Sequence, residues 1–358
     1  MLRNFRAACL IGAALGAGSA CAAPITLTQI STAFTTPIGI DYYEPTNSVV
    51  ISANYSSGSP HNLEIIAQNG SHTAYSSLNG LTDELKIASV RSGYVTGFAV
   101  GTIFTGNGND GEIVKVDPGG GSFTNPWVSL PGGGNGLVRG SLYVDRTGVH
   151  DGDLIAVTTA GELWRITAGG VATMIRDENV HLEGLAVVPN LPAKWGSYAG
   201  CITAGAEEQG LLHFWCKDAA TFRYTHSTVN LGISVEDIDV IDGGNFFGVN
   251  FGTSRILGAA ASQFAGMEND LLLTQENVAG GTSGLFRLYY DGTSLLTEAF
   301  TLSGGETPGQ WEHVTFAPAG IREIPPTGQL PSPGTLSLVG AGAAVLDWLG
   351  RRRTVAQT

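Results

Sequence analysis

Three acidic residues recur inside one repeated phrase: Leu182-Glu183-Gly184-Leu185-Ala186-Val187, Val235-Glu236-Asp237-Ile238-Asp239-Val240 and Trp311-Glu312-His313-Val314-Thr315-Phe316. In an extended chain side chains alternate between faces. Each acid then shares a face with apolar residues two and four positions on: Glu183 with Leu185 and Val187, Glu236 with Ile238 and Val240, Glu312 with Val314 and Phe316. If these runs are the innermost strands of a radial fold, three carboxylates converge at one mouth of a central channel. Unpaired, they repel one another and bind protons more tightly; a cation or Arg139 would relieve this. The pattern therefore predicts Ca²⁺ or another divalent cation held by Glu183, Glu236 and Glu312. His181 and His313 lie beside two of these acids and Asp237 follows the third, while Glu207, Glu208 and Glu276 open loops that share the rim. The competing expectation is structural: each acid pairs with backbone amides or an arginine at a strand start.

The elements that must position these acids are strands. Short β-branched or aromatic runs recur at residues 48–53, 113–116, 154–158, 246–251 and 285–290, separated by clusters such as Pro118-Gly119-Gly120-Gly121 and Asp242-Gly243-Gly244-Asn245. No long stretch shows clean helical periodicity, and only residues 259–265 suggest a short helical turn. Many short strands with regular turn signals indicate a closed or radial all-β architecture. Val138-Arg139-Gly140-Ser141-Leu142-Tyr143 keeps the register of the acidic phrase with arginine in place of glutamate, and residues 38–43 keep its apolar alternation. A hairpin with a central glycine follows most copies, around Gly161, Gly210 and Gly284. Units of roughly 45–55 residues suit four-stranded propeller blades. The expectation is an all-β propeller of about six blades, with five or seven left open by the long gap from Glu236 to Glu312. Residues 25–30 are expected to pair with late strands and close the ring, removing exposed edges.

Several motifs are excluded by context. Gly106-Asn107-Gly108-Asn109-Asp110-Gly111 matches a dinucleotide-binding spacing, but a strand follows it where that site needs a helix, so it reads as a hairpin loop. His150-Asp151-Gly152-Asp153 reads as a solvated turn, with calcium held by its acids as the alternative. The chain has no Gly-x-Ser-x-Gly elbow, no His-Glu-x-x-His and no phosphate-loop lysine, which removes the common hydrolase, zinc-protease and nucleotide readings. Trp127, Trp164, Trp195, Trp215 and Trp311 stand singly at strand positions and read mainly as blade core, with carbohydrate stacking the alternative for one or two. Cys201 and Cys216 flank two apolar runs around Glu207-Glu208-Gln209-Gly210. A turn centred at Glu208-Gln209 would set them directly opposite one another, within disulfide reach.

Composition sets the broad class. Of 358 residues 51 are glycine, 43% are hydrophobic and only 14% are charged, with a net charge of −13. Setting aside Arg3, Arg6, Asp347, Arg351, Arg352 and Arg353, which sit in terminal segments, leaves 30 acids against 13 bases. Such a body repels phosphate backbones, which excludes nucleic-acid binding through a basic face. Residues 1–22 read as a secretory signal: basic Arg3 and Arg6, a short apolar run, and Ala20-Cys21-Ala22 as a small-residue cleavage site. Lipidation at Cys21 is the second reading. Residues 23–324 form the propeller domain, 325–333 a Pro-rich linker and 334–358 an apolar tail that forms a short hydrophobic helix, ending in Arg351, Arg352 and Arg353.

The order Pro331-Ser332-Pro333, apolar run, arginine cluster resembles the PEP-CTERM sorting tail of Gram-negative exopolysaccharide producers, with serine in place of the usual glutamate. That resemblance implies transient inner-membrane insertion, processing by an exosortase-type protease, and delivery to the outer surface or matrix, with exopolysaccharide or surface proteins as partners. The body resembles the NHL-type and gluconolactonase-like six-bladed propellers in layout. Gluconolactonase-like enzymes use a carboxylate in a Glu-Gly phrase as a divalent-metal ligand, and Glu183-Gly184 resembles it. Here the phrase sits mid-chain, with no matching Asn and Asp ligands. Together these readings predict an exported propeller acting as a binding or scaffold module. The alternative is a divalent-metal-dependent hydrolase, lactonase- or esterase-like.

Overall fold

Runs such as Ser48–Ser52 and Leu154–Val157 are buried at every position, because each strand of this kind is covered on both faces. The computed structural model describes residues 24–317 apart from 54–60, 68–70, 82, 133–135, 140–141, 277–282 and 305–308. The secretory signal with Cys21, the Pro-rich linker, Pro331, Pro333 and the tail with Arg351, Arg352 and Arg353 lie outside the described residues. Among the described residues no helix is long and apolar enough to cross a membrane.

Six four-stranded antiparallel sheets form the blades of a propeller. Their innermost strands are Ile40–Tyr43 in blade 1, Ile87–Ser89 in blade 2, Leu142–Val144 in blade 3, Glu183–Val187 in blade 4, Val235–Val240 in blade 5 and Trp311–Ala317 in blade 6. Neighbouring inner strands pack around a common axis, with blade 6 returning to blade 1. Outer strands such as Ala172–Asp177 and Tyr224–Asn230 are only partly covered, as the rim of a radial fold requires. Apolar clusters between blades hold the ring together. The largest joins blades 3, 4 and 5 through residues such as Val157, Trp195, Phe214, Trp215 and Leu273.

Closure uses both ends of the described chain. Thr28–Ser31 pairs antiparallel with Arg255–Ala259 as the outer strand of blade 6, and Ile25–Thr26 runs parallel to Leu302–Ser303. Blades 5 and 6 are also interlocked. After the inner strand of blade 5 the chain crosses to build the second and third strands of blade 6, Asn245–Asn250 and Arg255–Ala259. It then returns to complete blade 5 with Leu271–Gln275, Gly284–Tyr290 and Leu295–Ala299. This crossing accounts for the long interval between Glu236 and Glu312 and fixes the number of blades at six.

In blade 4 the hairpin of Ile202–Ala206 and Leu211–Lys217 pairs Ile202 with Trp215 and Ala206 with Leu211. One step further along that register Cys201 meets Cys216, and the two form a disulfide with Cα atoms 4.2 Å apart. Residues 106–111 form the expected loop between Ile103–Gly106 and Glu112–Val116, and the helical turn anticipated near 259–265 is Ala261–Phe264.

Candidate functional site

The repeated acids sit where the inner strands begin, and each lies at an irregularity in the sheet. Pairing slips by one residue between Glu183 and Leu185, between Val235 and Asp237, and between Trp311 and Val314. An extra residue in the inner strand bends it and shifts the alternation. The strict alternation expected for Glu183, Glu236 and Glu312 is therefore interrupted at the acids themselves. In blade 4 the extra residue is Gly184, at φ +57°; a Cβ there would lie 2.9 Å from the Cα of Asp237 on the next inner strand, so only glycine fits.

The bulged acids converge, and the charge they meet is Lys86 rather than Arg139. Lys86 immediately precedes the inner strand of blade 2 and is 1% exposed. Its Nζ contacts the Glu183 carboxylate at 3.2 Å, the Glu236 carboxylate, and the Glu236 carbonyl oxygen at 3.1 Å. Arg139 is engaged at the edge with Asp83 and Glu84, each at 3.1 Å. His181 Nε2 lies 2.7 Å from Glu183 Oε1. On the other side of Glu236, one carboxylate oxygen from each of Glu84, Glu236, Glu276 and Glu312 lie within 4.8 Å of one another. Glu276 accepts a hydrogen bond from Gln310 Nε2 at 2.7 Å, whereas Glu312 Oε2 is buried without a partner.

Burial and mutual repulsion dominate the titration of this mouth. Burial pushes Glu183 up, but the Lys86 ammonium and the His181 hydrogen bond outweigh it and hold the carboxyl at about 2. Burial raises Glu236 well above the usual range, with Glu183 adding to the shift against Lys86. Glu312 is raised by burial and by Glu84 and Glu276, and Glu84 by burial and Glu183. Glu207, with its Oε1 buried and unpartnered, is pushed to about 7 by burial and then by Glu183 and Glu276. One ammonium thus serves more carboxylates than it can neutralise. Hard oxygen donors with excess negative charge suit a Ca²⁺-like ion.

Asp237 and His313 do different work. Asp237 Oδ2 accepts the backbone N–H of Val314 at 2.8 Å and so ties blade 5 to blade 6; burial pushes its carboxyl to about 8. His313 Nδ1 accepts the backbone N–H groups of Ile40 at 3.1 Å and Ile87 at 3.4 Å. Burial holds this imidazole neutral, down at about 3. Its lone pair is committed to blades 1 and 2, so His313 pins inner strands instead of facing a rim ligand.

The opposite mouth, where the inner strands end, opens into a pocket of about 710 Å³. Its floor is cationic and aromatic: Arg91 lies over the Tyr42 ring at 5.3 Å and Arg146 over the Tyr143 ring at 4.9 Å. Arg91 is held by Asp41 at 2.5 Å, Thr315 Oγ1 at 2.9 Å and the Phe316 carbonyl at 3.1 Å. Burial raises Asp41, but the two arginines outweigh it and keep the carboxylate ionised. Arg146 is much less engaged. Its nearest acidic partner among the described residues is Asp41 at 3.8 Å, and its Nε is buried without a partner. Asn190, Leu191 and Asn269 complete the wall. Between the mouths, a void of only about 20 Å³ is lined by Ile87, Leu185, Ile238 and His313 among others.

The structure brings Glu183, Glu236 and Glu312 to one mouth, but Glu183 is engaged by Lys86 and stands outside the four-carboxylate group, and the sequence pattern did not point to Lys86, Arg91 or Arg146. The signal was there in part: Leu85-Lys86 occupies the place of Leu182-Glu183, and Val90-Arg91-Ser92-Gly93 parallels Asp145-Arg146-Thr147-Gly148 after the next inner strand. His150 of the turn at 150–153 is buried and satisfied, with Nδ1 2.9 Å from the Tyr224 hydroxyl and Nε2 2.9 Å from the Gly200 carbonyl. Trp164, Trp195, Trp215 and Trp311 are core, and Trp127 packs partly buried between blades.

No family model and no curated protein sequence matches the chain. Among solved structures it is similar to a putative gluconolactonase at 12% identity and a TM-score of 0.51, over 79% of this chain and 83% of that one. It is likewise similar to the calcium-binding protein regucalcin from Agrobacterium tumefaciens at 11% identity and a TM-score of 0.50, over 82% and 83%. A gluconolactonase from Xanthomonas campestris aligns at 14% identity and a TM-score of 0.48, over 80% and 81%. At these identities the likeness is one of fold: the body resembles the gluconolactonase- and regucalcin-like six-bladed propellers.

Proposed function

We propose that the protein is an exported binding propeller whose two mouths have separate tasks. The pocket at the ends of the inner strands receives the ligand. The acidic mouth holds a divalent cation between Glu84, Glu236, Glu276 and Glu312, which neutralises the carboxylates Lys86 leaves over and locks the ring. The observation that carries this reading is the separation of the two: the large pocket lies at Arg91 and Arg146, across the packed channel from the acids. Planar polar side chains (Arg146, Asn190, Asn269, Asp242) beside tyrosine rings suit a saccharide, whose hydroxyls take directional hydrogen bonds and whose C–H faces stack on aromatics. Export rests on the signal-like start and the PEP-CTERM-like tail, which support delivery to the outer surface or matrix, with an exosortase-type protease as processing partner and exopolysaccharide as the ligand source.

Calorimetric titration with neutral and uronate-containing oligosaccharides tests this reading. Wild-type protein should bind at least one series, Arg146→Ala should weaken binding at least tenfold, and Glu312→Gln should leave it unchanged. Loss in Glu312→Gln with Arg146→Ala unaffected would overturn the assignment.

A second reading, metal-dependent hydrolysis of a lactone or ester, is favoured by one observation: the buried, partnerless Glu312 Oε2 beside three other carboxylates. An ion there would supply a Lewis acid, provided it keeps an open position. Turnover of sugar lactones that chelation abolishes, and that added divalent cation restores in wild type and not in Glu312→Gln, would establish it in place of the first.

A further inference from the structure

A second cluster of ligating side chains lies between blades 3 and 4, away from the channel. His213 is on the third strand of blade 4, Leu211–Lys217, and His226 on the fourth, Tyr224–Asn230. The register pairs Trp215 with His226 and His213 with Thr228, which puts both imidazoles on one face of the sheet as diagonal neighbours. Glu178 reaches the same place from the neighbouring blade, one residue beyond its outer strand Ala172–Asp177. One donor atom from each of the three lies within 4.8 Å of the other two.

The surroundings orient these groups as a ligand set. The Trp215 ring stacks on His226 at 17° and its Nε1 donates to Glu178 Oε1 at 2.9 Å; Arg176 Nε donates to the same oxygen at 3.1 Å. His226 Nε2 faces His213 Nδ1 at 3.1 Å. That is close to the roughly 3.3 Å edge separating two imidazole nitrogens bound tetrahedrally at about 2.0 Å to one ion. His213 is 4% exposed, and its Nε2 is buried with no hydrogen-bond partner. If His213 donates to His226 from Nδ1, Nε2 keeps a lone pair with nothing to accept; if it accepts there, Nε2 carries a proton with nowhere to go. An ion held by the two facing nitrogens, His213 Nδ1 and His226 Nε2, takes both lone pairs in place of the hydrogen bond between them and leaves Nε2 of His213 as the protonated nitrogen.

We infer that His213, His226 and Glu178 form a transition-metal site that clips blade 3 to blade 4. Two imidazoles and one carboxylate suit Zn²⁺, or Cu²⁺ and Ni²⁺, over Ca²⁺, so this site and the all-oxygen channel mouth select different ions. Water completes the coordination on the partly exposed His226 side.

The test is calorimetric titration of untagged, metal-stripped protein with ZnCl₂ and, separately, CaCl₂, supported by the visible spectrum after CoCl₂ addition. Wild-type protein should bind one equivalent of Zn²⁺, show the intense visible bands of tetrahedral Co²⁺, and melt at higher temperature with Zn²⁺. His226→Gln, at the more exposed ligand, should weaken Zn²⁺ at least tenfold and abolish the Co²⁺ bands. Glu312→Gln should leave Zn²⁺ binding unchanged. If His213→Asn fails to fold, His226→Gln and Glu178→Gln decide the matter. Equal Zn²⁺ affinity in wild type and folded His226→Gln, or no Zn²⁺ binding to wild type, would overturn the inference.

Discussion

Lys86 is the residue on which the channel turns. A fully buried ammonium is unfavourable unless paired, and here Glu183 and Glu236 raise its affinity for a proton well above the ordinary value against the effect of burial. Removing it strands two buried carboxylates. Lys86→Met should destabilise the fold by about 3–5 kcal/mol in urea denaturation. The double variant Lys86→Met with Glu236→Gln should recover part of that loss; equal stability of Lys86→Met and wild type would show that the pair contributes nothing. The sequence displayed Lys86 only as one lysine in an apolar run, which in isolation reads as exposed. Glu183, Glu236 and Glu312 were legible because they repeat in phase. Arg91 and Arg146 were not, because they follow the inner strands in two blades only and their burial depends on partners distant in sequence.

At the scale of the elements, strand positions and the blade 4 hairpin register followed from local pattern: residues 48–53 against Ser48–Ser52, and Cys201 opposite Cys216. The crossing of Asn245–Asn250 and Arg255–Ala259 into blade 6 did not, since a local pattern says that a run is a strand without naming its partner. The bulges at Glu183, Glu236 and Glu312 were hidden for a related reason: an inserted residue leaves the phrase intact while changing which way it points. Ring closure through Thr28–Ser31 was legible, because an unpaired outer strand must be covered. A chain beginning at residue 33 should therefore melt about 5 °C lower, roughly 3 kcal/mol for a domain of this size. An unchanged melting temperature would show that Arg255–Ala259 tolerates a bare edge.

For the whole molecule, buried acids make stability depend on pH and on cations together. Asp237 at about 8, Asp239 at about 6 and Glu207 at about 7 hold protons in the folded state that the unfolded chain has already released. Stability should therefore fall as pH rises from the ordinary carboxylate range toward about 8. Glu183, held at about 2, acts in the opposite sense, and its contribution is lost only as the solution is acidified through that value. A divalent cation bound as proposed would replace protons at the acidic mouth. Thermal melts should accordingly show CaCl₂ raising the melting temperature more at pH 8 than at pH 6, and less in Glu312→Gln. A melting temperature indifferent to CaCl₂ at both pH values would remove the cation from the account.

In the proposed arrangement ligand and cation occupy opposite mouths. The most direct measurement is the guanidinium Nε–Hε NMR spectrum of Arg91 and Arg146 during oligosaccharide addition, with the backbone amides of Gln310 and Glu84 as reporters of the acidic end. Arg146 Nε should shift and saturate with the ligand while Gln310 and Glu84 stay fixed. Shifts confined to Gln310 and Glu84, with Arg146 unmoved, would place the ligand on the carboxylates and contradict it.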